Sequence, residues 1–216
     1  AHFNDALQSL HDQTLRADEV VLIQDGPVMA ELTAVVKAWQ RKMPEINHVE
    51  LKENQGLSNA LNAGINAAKH EWLARMDADD LCKPNRFEMQ LALILSDENI
   101  AILGSWITEF DENMDVEIAT RKLPETHEEI LRYAQWRCPF NHMTVMYRKS
   151  VLQELGLYKN YGAVGDDYEL WARFLIIGHR SGNFACGKTG CDAFPGKRFR
   201  HVRGVSDNHE PIGDQG

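Results

Sequence analysis

Residues 71 to 80, Glu-Trp-Leu-Ala-Arg-Met-Asp-Ala-Asp-Asp, decide how the rest of this chain is read. The run from Trp72 to Met76 has the mainly apolar character of a short buried strand, and it breaks off in Asp77, Asp79 and Asp80. In an open α/β sheet, ligands bind in the crevice beyond the carboxyl ends of the strands. Carboxylates crowded there repel and raise one another's pKa, so they are at ease mainly with a cation among them. A hard divalent ion, held by one or two carboxylates and the oxygens of a diphosphate, is the simplest such cation. The plainer reading is that acids ahead of a helix cap it and favour its dipole, but one carboxylate would suffice for that. Beyond the acids, Pro84 is placed to be the first residue of a helix carrying Phe87, Leu91, Ile94 and Leu95 on one face.

Working outward from this strand, acidic turn and helix, the same alternation precedes it. Phe3, Ala6, Leu7 and Leu10 mark an opening helix, and Glu19 to Ile23 a strand that finishes in the turn Gln24-Asp25-Gly26-Pro27. Leu32, Val35, Val36 and Trp39 mark a second helix, and His48 to Leu51 a second strand. Such alternation predicts a parallel sheet with right-handed crossovers. A polar loop, residues 52 to 58, leads into a helix over residues 57 to 69 that is rich in small residues. Asn54 and Gly56 in that loop read equally well as punctuation or as a helix amino end facing a phosphate.

After the acidic turn, residues 100 to 110 predict one long strand and residues 116 to 119 its return. Thr126 with Glu129 fits a capping box for a helix carrying Ile130, Leu131 and Ala134, and residues 143 to 147 predict another strand. His142, just before it, is a lone histidine of the kind that is ordinarily structural. A second acidic cluster, Gly165-Asp166-Asp167-Tyr168-Glu169-Leu170-Trp171, opens an apolar helix expected to bury Trp171, Phe174 and Leu175. One Asp is expected as its N-cap, which leaves the other free to act as a general base toward a hydroxyl.

Composition sets the outer limits. With 44% hydrophobic and 25% charged residues the chain is that of an ordinary globular protein, and its net charge of -9 argues against a nucleic-acid partner. No apolar run approaches the ~20 residues of a membrane span and no signal peptide opens the chain, so a cytoplasmic protein is expected. Cys82, Cys138, Cys186 and Cys191 form no Cys-x-x-Cys pair, and Cys186 and Cys191 with His201 and His209 match no zinc-finger spacing, so free thiols are expected. Gly182 to Thr189 matches the phosphate-loop pattern, but no apolar strand runs into it and no helix leaves it. Residues 1 to 178 are expected to form one domain, and residues 179 to 216, short of apolar periodicity, an irregular, poorly packed tail.

In order along the chain, VVLIQDGP (20 to 27), ENQGLSNALNAGI (53 to 65), LARMDADD (73 to 80), FNHMTVMYRKS (140 to 150) and GDDYELWAR (165 to 173) resemble a family 2 glycosyltransferase of GT-A fold, close to the bacterial enzymes of capsular and exopolysaccharide synthesis. The resemblance implies a Rossmann-like, mostly parallel central sheet with helices on both faces. It also implies an inverting transfer from a nucleotide-sugar donor, expected to be a UDP-sugar, to a saccharide or lipid-linked acceptor, with Mg2+ or Mn2+ and a peripheral association with the membrane through the acceptor. Residue by residue, it makes Asp25 the contact to the nucleoside base, Asp77 and Asp79 the Asp-x-Asp for ribose and metal-diphosphate, and Asp167 the base that activates the acceptor. Arg75 and His142 then line the donor site, His142 as a weak metal candidate; Asn54 and Gly56 join the donor side, and Asp166 and Trp171 the acceptor side. Members of the family begin with an apolar strand that lies between those read here at 20 to 24 and at 71 to 76. A natural protein with roughly a dozen more residues before Ala1 is therefore expected, of which one strand of ordinary length would be part. The alternative in another class is a nucleotide-sugar-binding protein without turnover.

Overall fold

A computed structural model describes residues 2–111, 116–161 and 165–185, and the backbone of residues 191–193. In chain order the elements are α1 (His2–His11), β1 (Val20–Asp25), α2 (Ala30–Lys42), β2 (Ile46–Leu51), α3 (Leu57–Ala67), β3 (Trp72–Ala74), α4 (Arg86–Ser96), β4 (Ile100–Ser105), β5 (Ile107–Phe110), β6 (Glu117–Arg121) and α5 (His127–Tyr133). A 3-10 turn (His142–Thr144), β7 (Met146–Arg148), α6 (Lys149–Glu154), α7 (Asp166–Ile177), β8 (Arg180–Phe184) and β9 (Cys191–Ala193) follow.

The expected α/β alternation is present, but the strands gather in three sheets. β1 and β2 pair in parallel, the order β3-β7-β4-β8 forms the central sheet, and β6-β5-β9 a smaller one. β4 and β8 are parallel, while β7 runs antiparallel to both β3 and β4, so the central sheet is mixed. β1 and β3 are not paired with each other among the described residues. α3 spans the two groups of strands. Gly64 lies so close to Ile23 of β1 that a Cβ there would meet its Cγ1 at 3.2 Å, and the next residue, Ile65, joins the main core with Tyr147 of β7. The small side chains of α3 are what permit that approach.

The main core centres on α7. Leu170, Trp171 and Phe174 are 0% exposed and pack with Ile102, Phe140, Val145, Tyr147, Leu152 and Tyr158. Each large apolar side chain so buried contributes roughly 1.5–3 kcal/mol, so the first turn of α7 is held on a rigid support. A separate cluster, Leu7, Trp39, Met43 and Ile46, seats α1 and α2 on the β1–β2 pair. Gln13, just beyond α1, donates to the Lys83 carbonyl at 2.8 Å, and the Thr14 N–H to that of Pro84 at 2.7 Å. The opening helix is thereby tied to the segment that follows the acidic turn.

Several expected boundaries move. Pro84 lies ahead of α4, whose N-cap is Asn85, and Leu95 is 69% exposed although Phe87 and Ile94 are buried. The long strand breaks at Trp106, whose indole N–H donates to the Leu123 carbonyl at 2.8 Å, so β4 and β5 enter different sheets. Residues 142–144 form a 3-10 turn instead of the start of a strand. The boundary expected at 178 falls inside packed structure, because β8 pairs with β4 and buries Ser181, Gly182, Asn183 and Phe184. Gly182 is thus a mid-strand residue, which removes the start of the phosphate-loop pattern. Asn183 and Phe184 continue the same strand, and residues 186–189 of that pattern, like His201 and His209, lie outside the described residues. Cys82 and Cys138 are free thiols.

The capping box on α5 forms as read: Thr126 Oγ1 accepts from the Glu129 N–H and the Glu129 carboxylate from the Thr126 N–H. Thr126→Ala should lower stability by about 1 kcal/mol in chemical denaturation, with the slope of the transition unchanged.

Candidate active site

β1 ends in Asp25, and Gly26 turns the chain with φ +93°, a left-handed conformation; a Cβ there would strike the Asn54 backbone nitrogen at 2.7 Å. That close approach sets the Asp25 carboxylate against the loop before α3, where it accepts from the N–H groups of Gln55 at 2.7 Å and Gly56 at 2.9 Å. Asn54 donates to the Asp25 carbonyl at 3.4 Å. The structure therefore brings Asp25, Asn54 and Gly56 together, and Asp25 takes two N–H groups of the loop ahead of α3, those of Gln55 and Gly56.

Arg75 follows β3 and is buried, with its N–H donating to the Val145 carbonyl at 2.8 Å. Its guanidinium grips Asp77 in a two-pronged pair, Nη1 reaching Oδ2 at 2.9 Å and Nη2 reaching Oδ1. Burial pushes the Asp77 carboxyl above its usual range; Arg75 draws it back down, and the neighbouring Asp79 raises it again. Asp79 itself is exposed. Among the described residues no three His, Cys, Asp or Glu side chains converge into a ready-made cation cage. His142, the weak metal candidate, does not join Asp77 and Asp79 in one. It faces inward, with Nε2 at 2.8 Å from the Tyr158 hydroxyl, and burial followed by the Arg75 charge drives its pKa well below the ordinary value. The donor set fits Mg2+ or Mn2+ only as one or two carboxylates completed by oxygens of a bound diphosphate.

Gly165, with φ 94°, is the N-cap of α7, so neither Asp takes that position. Asp166 instead accepts from Ser58 Oγ on α3 and from the Tyr161 N–H at 3.3 Å. Asp167 accepts from the Tyr168 N–H at 2.8 Å, and the Cys138 thiol points at its Oδ2 from 3.9 Å. Trp171 is 0% exposed in the core, so its assignment to the acceptor side is corrected; the helical periodicity already placed it inside.

Sequence reasoning missed Tyr158. Its backbone exchanges two hydrogen bonds with the Asn62 side chain of α3, at 2.8 and 2.9 Å, while its hydroxyl meets His142 and Tyr147. Burial raises its pKa well above the ordinary value, followed by the Tyr147 hydroxyl; Arg75 opposes this and Asp167 adds to it. Tyr158 therefore feels Arg75 on one side and Asp167 on the other. A tyrosine at the end of a loop gives no spacing signal, and only the fold reveals its role.

Burial above all, and then the charge of Asp167, pushes the Cys138 thiol from 9.0 up to about 11. At pH 8 iodoacetamide should label it about a hundredfold more slowly than a free cysteine, by peptide mass spectrometry. A raised folded-state pKa favours the protonated thiol, so the associated stability is complete below pH 9 and lost as pH climbs from 9 through 11. Cys138→Ser should flatten that part of the alkaline unfolding profile.

A mixed α/β core with two carboxylate clusters beyond its strand and helix ends defines a GT-A glycosyltransferase fold. The chain belongs to glycosyl transferase family 2, whose pattern matches residues 3–156. It is 41% identical over 177 residues to the amylovoran biosynthesis glycosyltransferase AmsE of Erwinia amylovora, covering 82% of this chain and 65% of that protein. It is 37% identical over 180 residues to the UDP-Gal:alpha-D-GlcNAc-diphosphoundecaprenol beta-1,3-galactosyltransferase of Escherichia coli, covering 83% and 64%. The chain thus spans just under two thirds of these relatives. Among solved structures, S. aureus TarS 1-349 in complex with UDP-GlcNAc superposes with TM-score 0.69 at 18% identity, covering 92% of this chain and 56% of that one. The mannosyltransferase PcManGT of Pyrobaculum calidifontis, in complex with GDP-Man and Mn2+, gives 0.63 at 18% identity, covering 89% and 52%. Among the described residues no helix is long and apolar enough to cross a membrane.

Proposed function

We infer that this chain moves a sugar from a UDP-sugar to a saccharide or lipid-linked saccharide acceptor, with inversion at the anomeric carbon. The observation that carries the reading is the pair of carboxylate groups at the element ends, Asp77 gripped by Arg75 with Asp79 exposed beyond β3, and Asp166 and Asp167 opening α7. It is supported by the Escherichia coli relative, whose name specifies UDP-Gal and a diphosphoundecaprenol-linked sugar, and by the family to which the chain belongs.

In this reading Asp25, Asn54 and Gly56 form the wall for the nucleoside, and Asp77, oriented by Arg75, accepts from the ribose hydroxyls. Asp79 is the residue that would hold Mg2+ or Mn2+, a cation that supplies charge neutralisation for the departing diphosphate when bound. Asp167 takes the proton of the acceptor hydroxyl as its oxygen bonds to the anomeric carbon from the face opposite the diphosphate; the bond to the diphosphate breaks and UDP leaves with the electron pair. Attack from the opposite face inverts the anomeric configuration. A lipid-linked acceptor would bring the protein to a membrane surface.

The test is to titrate UDP with and without Mn2+ by calorimetry and then follow UDP release from a panel of UDP-sugars. Tight, Mn2+-dependent binding followed by hydrolysis or transfer supports the transferase. Binding without any release would make the chain a nucleotide-sugar-binding protein.

A further inference from the structure

Trp136 is 84% exposed, on the turn that follows α5. A bare indole on a rigid turn is an expensive surface to leave in water, and here both ends of the turn are fixed. Ala134, before it, accepts a hydrogen bond at its carbonyl from the Tyr168 hydroxyl of α7. Cys138, after it, directs its thiol at the Phe140 carbonyl from 3.4 Å and at the Asp167 carboxylate from 3.9 Å. The turn itself is tight, with the N–H groups of Trp136 and Arg137 both donating to the Tyr133 carbonyl at 3.0 Å. Trp136 is thus the apex of a strap whose two feet stand on the first turn of α7. Two peptide units put its Cα within about 7–8 Å of that of Cys138, the residue whose thiol faces Asp167. Among the described residues no ring, cation or hydrogen-bond acceptor meets its indole. Tyr161, 62% exposed, is a second aromatic bound to the same helix start, through its N–H to Asp166.

The geometry points to Trp136 as a stacking platform for a pyranose ring of the acceptor saccharide, at the helix start to which Tyr161 is also tied. The aromatic face is electron-rich, and one face of a hexopyranose presents a cluster of polarised C–H groups that matches it without any charge. The remaining hydroxyls stay in water or turn toward Asp167. Position decides for the acceptor over the donor, since Asp25, Asn54 and Gly56 stand at the ends of β1 and β2 while the strap stands on α7 next to the base. The acceptor label rests on the transferase reading; saccharide binding at Trp136 does not.

The experiment compares the whole protein with Trp136→Ala and Trp136→Phe, titrating methyl glycosides of hexoses and N-acetylhexosamines while the indole N–H resonance of Trp136 is followed by NMR. At least one glycoside should shift that resonance saturably. Trp136→Ala should weaken its binding about tenfold, measured by saturation transfer, and Trp136→Phe should keep it within about threefold. UDP with Mn2+ should bind all three proteins equally, which reports on the transferase reading separately. If UDP fails to bind while the glycoside effect persists, that reading falls and the saccharide site stands. No glycoside with Trp136-dependent binding overturns the platform. So does a Trp136→Ala protein that binds glycosides normally but loses affinity for phosphatidylglycerol vesicles, which would make Trp136 a membrane contact.

Discussion

Asp167→Asn should cut transfer by roughly 10²- to 10⁴-fold while leaving affinity for UDP and Mn2+ unchanged. The amide has the size of the carboxylate, and its oxygen can still accept from the Tyr168 N–H, now 2.8 Å from Oδ1, so α7 keeps its first turn. The loss is confined to basicity. An asparagine cannot take a proton from an acceptor hydroxyl, so that proton would have to pass to water, a far weaker base, as the new bond forms. The helix beneath is fixed by Leu170, Trp171 and Phe174, all 0% exposed, and the substitution therefore does not unseat it. Steady-state rates with calorimetric UDP titration separate the cases. A parallel fall in nucleotide affinity and turnover would make Asp167 a structural residue and remove the proposed base.

Asp79→Ala should abolish the Mn2+ dependence of UDP binding while the melting temperature stays the same. Asp79 is exposed and lies beyond β3, so truncating it leaves no buried group unsatisfied. Asp77 cannot readily substitute for it, because both its oxygens are gripped by Arg75. Without Asp79 the diphosphate would bring its charge to a site that still holds the Asp77 carboxylate, with no ligand to bring in a neutralising cation. Titrations of UDP into wild type and variant, each with Mn2+ and with chelator, give the answer. Unchanged metal dependence in the variant would place the cation elsewhere.

Much of the fold is legible because hydrophobic periodicity and turn chemistry act locally. α2, α3, the capping box of α5 and the apolar face of α7 form where their own residues predict. The strand at Trp72 is legible too, but its antiparallel partner is not, because β7 lies more than seventy residues away and nothing in the pattern at Met146 states a direction. β8 was hidden for a related reason. Arg180-Ser181-Gly182-Asn183-Phe184 has little apolar character, and it is buried because Asn183 donates to the carbonyls of Pro124 and Pro139, at 2.7 and 2.9 Å. The acidic residues of the candidate site stand out in one dimension. Their partners do not: Ser58, Asn62 and Tyr158 are polar residues in a helix or loop whose importance arises only from who meets them.

The two hydrogen bonds that lock Tyr158 to Asn62, with Tyr158 packed in the core around α7, mean that the loop proposed to face the nucleoside and the helix bearing the proposed base share one scaffold. In energetic terms the two halves of the site are linked sites, and linkage runs both ways. Occupancy by nucleotide that stiffens α3 would lower the entropy still to be lost when a saccharide arrives beside α7, and a saccharide would do the same for the nucleotide. Coupling between the two proposed sites, whichever ligand comes first, needs no moving domain in such a molecule; a tyrosine common to both walls would supply the physical link.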